Sequence, residues 1–209
     1  MSTTTKLKGL YHPSFEKDSC GFGLIANIDD KPSHWLIKTS IAALARLTHR
    51  GAVAADGKSG DGCGLLLKKP DAFLRAKAAE ANINCAELYA VGLIFISPHV
   101  GETEISQAII EGKIAEQGIE FAGWREVPTD PTACGEEALK SLPAIFHAYI
   151  NAPAGFSVAE FDRSLYLARR AIGKAHEALD NTRIDDYYYI SSMSSRVSSS
   201  RSAPPNRPL

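Results

Sequence analysis

The chain has 209 residues, a net charge of −1 and 44% apolar residues. That length supports one sizeable domain with its own core, and the charge balance gives no general attraction to nucleic acid or anionic lipid. No apolar run reaches the roughly 18 residues of a bilayer span, and the N-terminus lacks the apolar core of a secretory signal. The cysteines at 20, 63, 85 and 134 form no Cys-x-x-Cys pair and no Cys/His cluster. No metal site is therefore expected, and reduced cytoplasmic thiols are the default.

Residues 1–19 are polar and irregular, with Pro13 as a breaker, and read as a frayed terminus or a removable leader. Cys20 opens the apolar run Phe22-Gly23-Leu24-Ile25-Ala26-Asn27-Ile28, which has the pattern of a buried strand. Asp29-Asp30-Lys31-Pro32 makes a turn. Ser33 then caps a helix from His34 to about Thr48, with Ile37, Ile41 and Leu44 on one face. The helix delivers His49-Arg50-Gly51. A glycine-rich loop, Gly57 to Gly64, feeds a short strand, Leu65-Leu66-Leu67. It is neither a Walker loop, since no Gly-Lys-Ser/Thr follows, nor a dinucleotide fingerprint, since a strand comes next. The use expected of its glycines is close backbone approach and positive-φ turns beside a site.

Further on, the pattern predicts a helix over 71–82 and a strand over 88–96 ended by Ser97-Pro98. A helix over 102–117 carries the stripe Ile105, Ala108, Ile109 and Gly112. A strand over 120–127, a short helix near 134–141 and a strand over 143–150 follow. Ser157-Val158-Ala159-Glu160 is a capping box that opens the longest helix, about 157–179. Its predicted stripe is Val158, Phe161, Leu165, Ala168, Ile172 and Leu179. Residues 187–193 read as a strand. From Val197 onward the composition is low in complexity, and 197–209 is expected to be a disordered or out-of-frame tail.

A cysteine opening a strand is often only a small buried hydrophobe. With the leader removed, however, Cys20 would hold a thiol and a free α-amine. That amine, with an ordinary pKa of about 7.7–8.0, can take the thiol proton at neutral pH. Three motifs stand in order: Cys20-Gly21-Phe22-Gly23, Leu47-Thr48-His49-Arg50-Gly51-Ala52, and Gly60-Asp61-Gly62-Cys63-Gly64. On these motifs, residues 10–196 resemble the class II glutamine amidotransferases, which are N-terminal-nucleophile hydrolases, in their glutamate synthase branch.

The resemblance implies an α/β (α+β) fold, a four-layer αββα sandwich incomplete at its C-terminus. Residues 1–19 would be a propeptide and 20–196 a partial amidotransferase domain, with 70–180 an elaboration of this branch. Cys20 would be the catalytic nucleophile, with Arg50 beside it lowering the thiol pKa. Gly21, His49, Gly51, Gly60, Asp61 and Gly62 would shape the pocket. The bland alternatives are a helix-end cation for Arg50, a packing role for His49 and a turn former for Asp61. Cys63, Cys85 and Cys134 are expected to be buried or inert, and His12, His34, His99, His147 and His176 have no identified partner. The implied partners are glutamine, a synthase half and a small subunit. FMN, FAD and an iron–sulfur cluster belong to the complete enzyme and none to this chain. The family's Arg-[FY]-Ser-Thr clamp and Asn-Gly oxyanion pair do not occur in the sequence. A truncated or frame-shifted, non-catalytic fragment is therefore the alternative reading, and a stand-alone cysteine hydrolase with a side-chain base is a third.

Overall fold

The computed structural model describes residues 21–47, 54–60, 62–180 and 182–201. It divides into two units, Met1–Ala52 and Val53–Leu209. In the first, residues 21–27 form neither helix nor strand and are exposed, with Phe22 at 95% and Leu24 at 90%. The strand expected over 22–28 is thus not formed. An apolar run becomes a strand only when another strand takes its backbone groups, and these residues have no ladder partner among the described residues. The turn at 29–32 is present: Asn27 O accepts from Asp30 N at 3.1 Å, and Asn27 Nδ2 donates to Lys31 O at 3.1 Å. Helix α1 follows at His34–Ala45. Ser33 sits at its N-cap in extended conformation, but its hydroxyl caps nothing. Its carbonyl accepts the Leu36 amide instead.

The second unit runs β1 (Gly64–Lys68), α2 (Asp71–Glu80), β2 (Tyr89–Ile96), α3 (Glu102–Glu116), β3 (Glu120–Glu126) and α4 (Glu136–Leu139). It continues with β4 (Ala144–Asn151), α5 (Val158–Glu177), α6 (Thr182–Tyr187), β5 (Tyr189–Ser194) and β6 (Val197–Arg201). Four strands form one sheet in the order β3-β4-β2-β5, and β1 pairs with β6 in a two-stranded sheet. All these pairs are antiparallel.

Strand β2 is buried at every position, because helices cover both sheet faces. Successive side chains point to opposite faces. Ala90, Ile94 and Ile96 join Ile110 and Ile114 of α3 and Phe161, Leu165, Ala168 and Ile172 of α5. Tyr89 and Val91 join Leu74 and Ala78 of α2, with Tyr149 of β4. Tyr149 Oη donates to Leu74 O at 3.1 Å and pins α2 to the sheet.

The capping box of α5 forms as expected: Glu160 N donates to Ser157 Oγ at 3.3 Å, and Ser157 N to Glu160 Oε2 at 2.8 Å. Its buried stripe runs Phe161, Leu165, Ala168, Ile172 and His176, while Val158 is exposed. The buried stripe of α3 is Glu102, Ser106, Ile110 and Ile114, not the one predicted. Two polar residues lie on its inner face, so apolar periodicity points to the wrong side. Glu102 is satisfied there, accepting from Ser97 Oγ at 2.6 Å and from Arg183 Nε of α6 at 2.8 Å.

Of the tail expected over 197–209, residues 202–209 lie outside the described residues, and the disorder expected is not found at 197–201: Val197–Arg201 is a strand, in register from Val197↔Lys68 to Arg201↔Gly64. Its ladder is made by backbone groups, which any sequence free of proline supplies, so low complexity does not forbid it. Serine hydroxyls tie β6 to β5 as well: Ser199 N donates to Ser192 Oγ at 3.1 Å, and the Ser199 hydroxyl lies 2.8 Å from Ser191 Oγ. No helix among the described residues is long and apolar enough to cross a membrane.

Candidate functional site

Of the residues that the motifs single out, Cys20, His49, Arg50, Gly51 and Asp61 lie outside the described residues. Gly21 is exposed, in the stretch without helix or strand. Gly60 and Gly62 are exposed in the loop that enters β1, and Cys63 next to them is exposed rather than buried. The structure therefore brings the two loop glycines together at the head of β1.

The loop is built by Asp56. Its Oδ1 accepts from Lys58 N at 2.9 Å and Ser59 N at 2.7 Å, and its Oδ2 accepts from Ser59 Oγ at 2.5 Å. This is an Asx turn, for which an Asp three residues before a Ser is a local signal. Gly57 closes it with φ +69°, a left-handed conformation that suits glycine. Its amide donates to Ala54 O at 3.0 Å, and Ala54 N donates to Ser59 O at 2.7 Å. The Ser59 hydroxyl, with the Lys58 and Ser59 amides, holds the Asp56 carboxyl far below the usual carboxylate range. It is ionised at any neutral pH.

Two further bonds leave the loop for a distant segment. Glu137 N donates to Asp56 Oδ2 at 3.3 Å, and Ala138 N donates to Ser59 Oγ at 3.1 Å. The glycine-rich loop thus supplies partners to two first-turn amides of α4, which a helix leaves unsatisfied. Ser59 is buried in consequence, although Gly57, Lys58 and Gly60 around it are exposed. An open depression of about 330 Å³ lies here, lined by Asp56, Lys58, Cys134, Gly135, Glu136 and Leu139.

At the other end of β1, Lys69 Nζ donates to Tyr89 O at 3.1 Å, pairs with Asp71 at 3.3 Å and stands 3.7 Å from the Tyr89 ring centroid. Arg75 lies 4.5 Å from the same centroid and bonds Asp71 Oδ2 at 2.9 Å. Burial pushes the Lys69 pKa down and the Tyr89 pKa up. Burial also pushes the Cys85 thiol up, which disfavours its thiolate and fits the expected inert role.

Two histidines without sequence-legible partners have structural ones. Arg125 Nη1 lies 3.4 Å from His147 Nδ1. Arginine only donates, so Nδ1 is the acceptor and the ring proton sits on Nε2. Burial first, then the Arg125 charge, lowers the His147 pKa to about 4. His176 Nδ1 donates to Ile172 O at 3.0 Å, and its ring stacks on Tyr188 with centroids 3.8 Å apart. Both histidines are structural and neutral. Among the described residues no three His, Cys, Asp or Glu side chains gather as a metal-ligand set. Sequence reasoning missed Asp56, Ser59 and Gly135. The Asx spacing was visible, but its partners lie 79 and 81 residues away.

Residues 20–201 match the family model of the class II glutamine amidotransferases. A glutamate synthase (NADPH) large chain of Bacillus subtilis is 35% identical over 195 residues, 92% of this chain and 12% of that protein. The corresponding large chain of Azospirillum brasilense is 36% identical over 189 residues, 89% of this chain and 12% of that protein. A glutamate synthase (NADH) of Saccharomyces cerevisiae is 32% identical over 198 residues, 89% of this chain and 9% of that protein. The chain thus spans about a tenth of the length of these relatives. The family match opens on Cys20, takes in the glycine-rich loop and runs to the end of β6, and on that extent the chain belongs to the class II glutamine amidotransferases.

Proposed function

We propose that this chain is the glutaminase part of a glutamate synthase, with Cys20 as an N-terminal nucleophile. The observation that carries the reading is that the family match begins on Cys20 itself and leaves residues 1–19 outside. Removal of those residues frees the α-amine of Cys20. The amine takes the thiol proton, and the thiolate attacks the side-chain amide carbon of glutamine. The carbon–nitrogen bond breaks as the proton passes to the departing ammonia, leaving a thioester that water hydrolyses to glutamate and the free thiol. Arg50 stabilises the thiolate, and Gly21, His49, Gly51, Gly60, Asp61 and Gly62 shape the pocket.

The fold proposed for the complete domain is the four-layer αββα sandwich, and the mixed helices and antiparallel sheets of the described residues support its α/β class. Ammonia passes to a synthase half that makes glutamate from 2-oxoglutarate with a small subunit as partner, in the cytoplasm. FMN, FAD and an iron–sulfur cluster would supply redox chemistry in the complete enzyme. Cys63, Cys85 and Cys134 do not fit as ligands of a cluster, since no such set gathers among the described residues.

Intact mass of the full polypeptide is expected to show loss of residues 1–19, and Cys20→Ser to abolish glutamate release. Serine is a poorer nucleophile because its alkoxide is far harder to form than a thiolate. An active mature protein that retains Met1, or glutamate release persisting in Cys20→Ser, would overturn the mechanism.

A further inference from the structure

We propose that Asp56, Ser59 and Gly135 are positioning residues that dock the glycine-rich loop on residues 135–138, so that the seat of α4 sets where Gly60 and Gly62 stand. The inference rests on the reading that those glycines shape the glutamine pocket. The dock is made of groups with no slack. The Ser59 hydroxyl donates to Asp56 and accepts from Ala138 N, so one side chain relays the turn to α4. Asp56 accepts from the loop through Lys58 N and Ser59 N and from α4 through Glu137 N. Removing either side chain strands an amide of α4, and removing that of Asp56 also undoes the turn.

Gly135 shows why the approach is this close. Its φ of −80° and ψ of 166° are open to any residue, so glycine is not there for conformation. It is there for space: a Cβ would stand 2.7 Å from the backbone nitrogen of Ser59 and closer still to the Asp56 carboxylate and the Ser59 hydroxyl. Backbone cannot rotate out of the way, so a methyl at 135 lifts the loop. Gly173 of α5, by contrast, has open space where its Cβ would be. Gly60 is the next residue after Ser59, and one residue spans only about 3.5 Å. A displacement at Ser59 therefore reaches Gly60 and Gly62 through the chain.

The test uses the full polypeptide with Ser59→Ala, Ser59→Thr, Gly135→Ala and, as a control, Gly173→Ala. Amide hydrogen exchange at Glu137 and Ala138 reads the dock, and glutaminase KM and kcat read its consequence. Ser59→Ala and Gly135→Ala are expected to speed exchange at Ala138, and to raise KM for glutamine about tenfold with kcat within about threefold. Ser59→Thr keeps the hydroxyl and should restore both readouts, and Gly173→Ala should move neither. Unchanged exchange in both Ser59→Ala and Gly135→Ala would show that the dock is not made. If Gly135→Ala does not fold, the Ser59→Ala and Ser59→Thr pair decides alone. Glutamate release that survives Cys20→Ser would defeat the proposed function. A dock that loosens with wild-type KM, in a protein whose activity does depend on Cys20, would defeat the positioning role only.

Discussion

At the scale of single residues, His147 carries the clearest solution consequence. It is buried, neutral and an acceptor for Arg125, with its pKa near 4 against an ordinary 6.5. Between those values the unfolded chain binds a proton that the folded chain refuses. Stability therefore rises with pH across that window and falls on acidification, by up to roughly 3 kcal/mol for a shift of this size. His176, also lowered by burial, acts with the same sign. Urea unfolding at pH 7 and pH 4.5 should show the loss, and His147→Gln should remove a large part of the difference. Equal pH dependence in the variant and the parent would sink the assignment. Tyr149, whose phenol burial pushes up to about 12, stays a donor to Leu74 O throughout this range.

At the scale of elements, α3 separates what periodicity can say from what it cannot. Ile110 is fully buried and Ile105 is 45% exposed. Ile110→Ala should cost about 2–5 kcal/mol and Ile105→Ala under about 1. Ser106 Oγ is buried with no hydrogen-bond partner among the described residues, so Ser106→Ala should be neutral or stabilising by about 1 kcal/mol. Chemical denaturation of the three variants checks the order, and a reversed cost for Ile105 and Ile110 would restore the stripe that the sequence suggests.

Elsewhere the fold is legible in the sequence where burial is apolar and local. The continuous run of β2, the capping box of α5 and the strand Leu65–Leu67 in β1 are such cases. It is not legible where polar residues lie on an inner face, as at Glu102 and Ser106, or where a strand is rich in serine, as in β6. Helix α6, with its sequence Thr-Arg-Ile-Asp-Asp-Tyr, has too few apolar positions to announce itself. At the candidate site, the motifs were legible as an order of residue types. The docking of Asp56 and Ser59 on α4 was not, because no local pattern encodes a partner some 80 residues away.

At the scale of the second unit as a whole, stability is unevenly spread. The four-stranded sheet is packed by α3 and α5 on one face and by α2 on the other. The β1–β6 pair is a two-stranded sheet with Leu66 69% exposed, and such pairs are marginal by themselves. Native-state hydrogen exchange should release β1 amides in local openings, while β2 amides wait for global unfolding. Ser199→Ala, which removes a hydroxyl shared with Ser191 and Ser192, should lower protection of β1 selectively, by about 1 kcal/mol. Uniform exchange of β1 and β2 would contradict this division.

The pairing of β1 with β6 also bears on how the protein is born. β1 is synthesised about 130 residues before β6. At roughly 5–20 residues per second, the nascent chain holds this leucine-rich strand without its β6 partner for on the order of ten seconds. During that interval Leu65–Leu67 is a ready template for a neighbouring nascent chain on the same message, and a natural stretch for a ribosome-bound chaperone to shield.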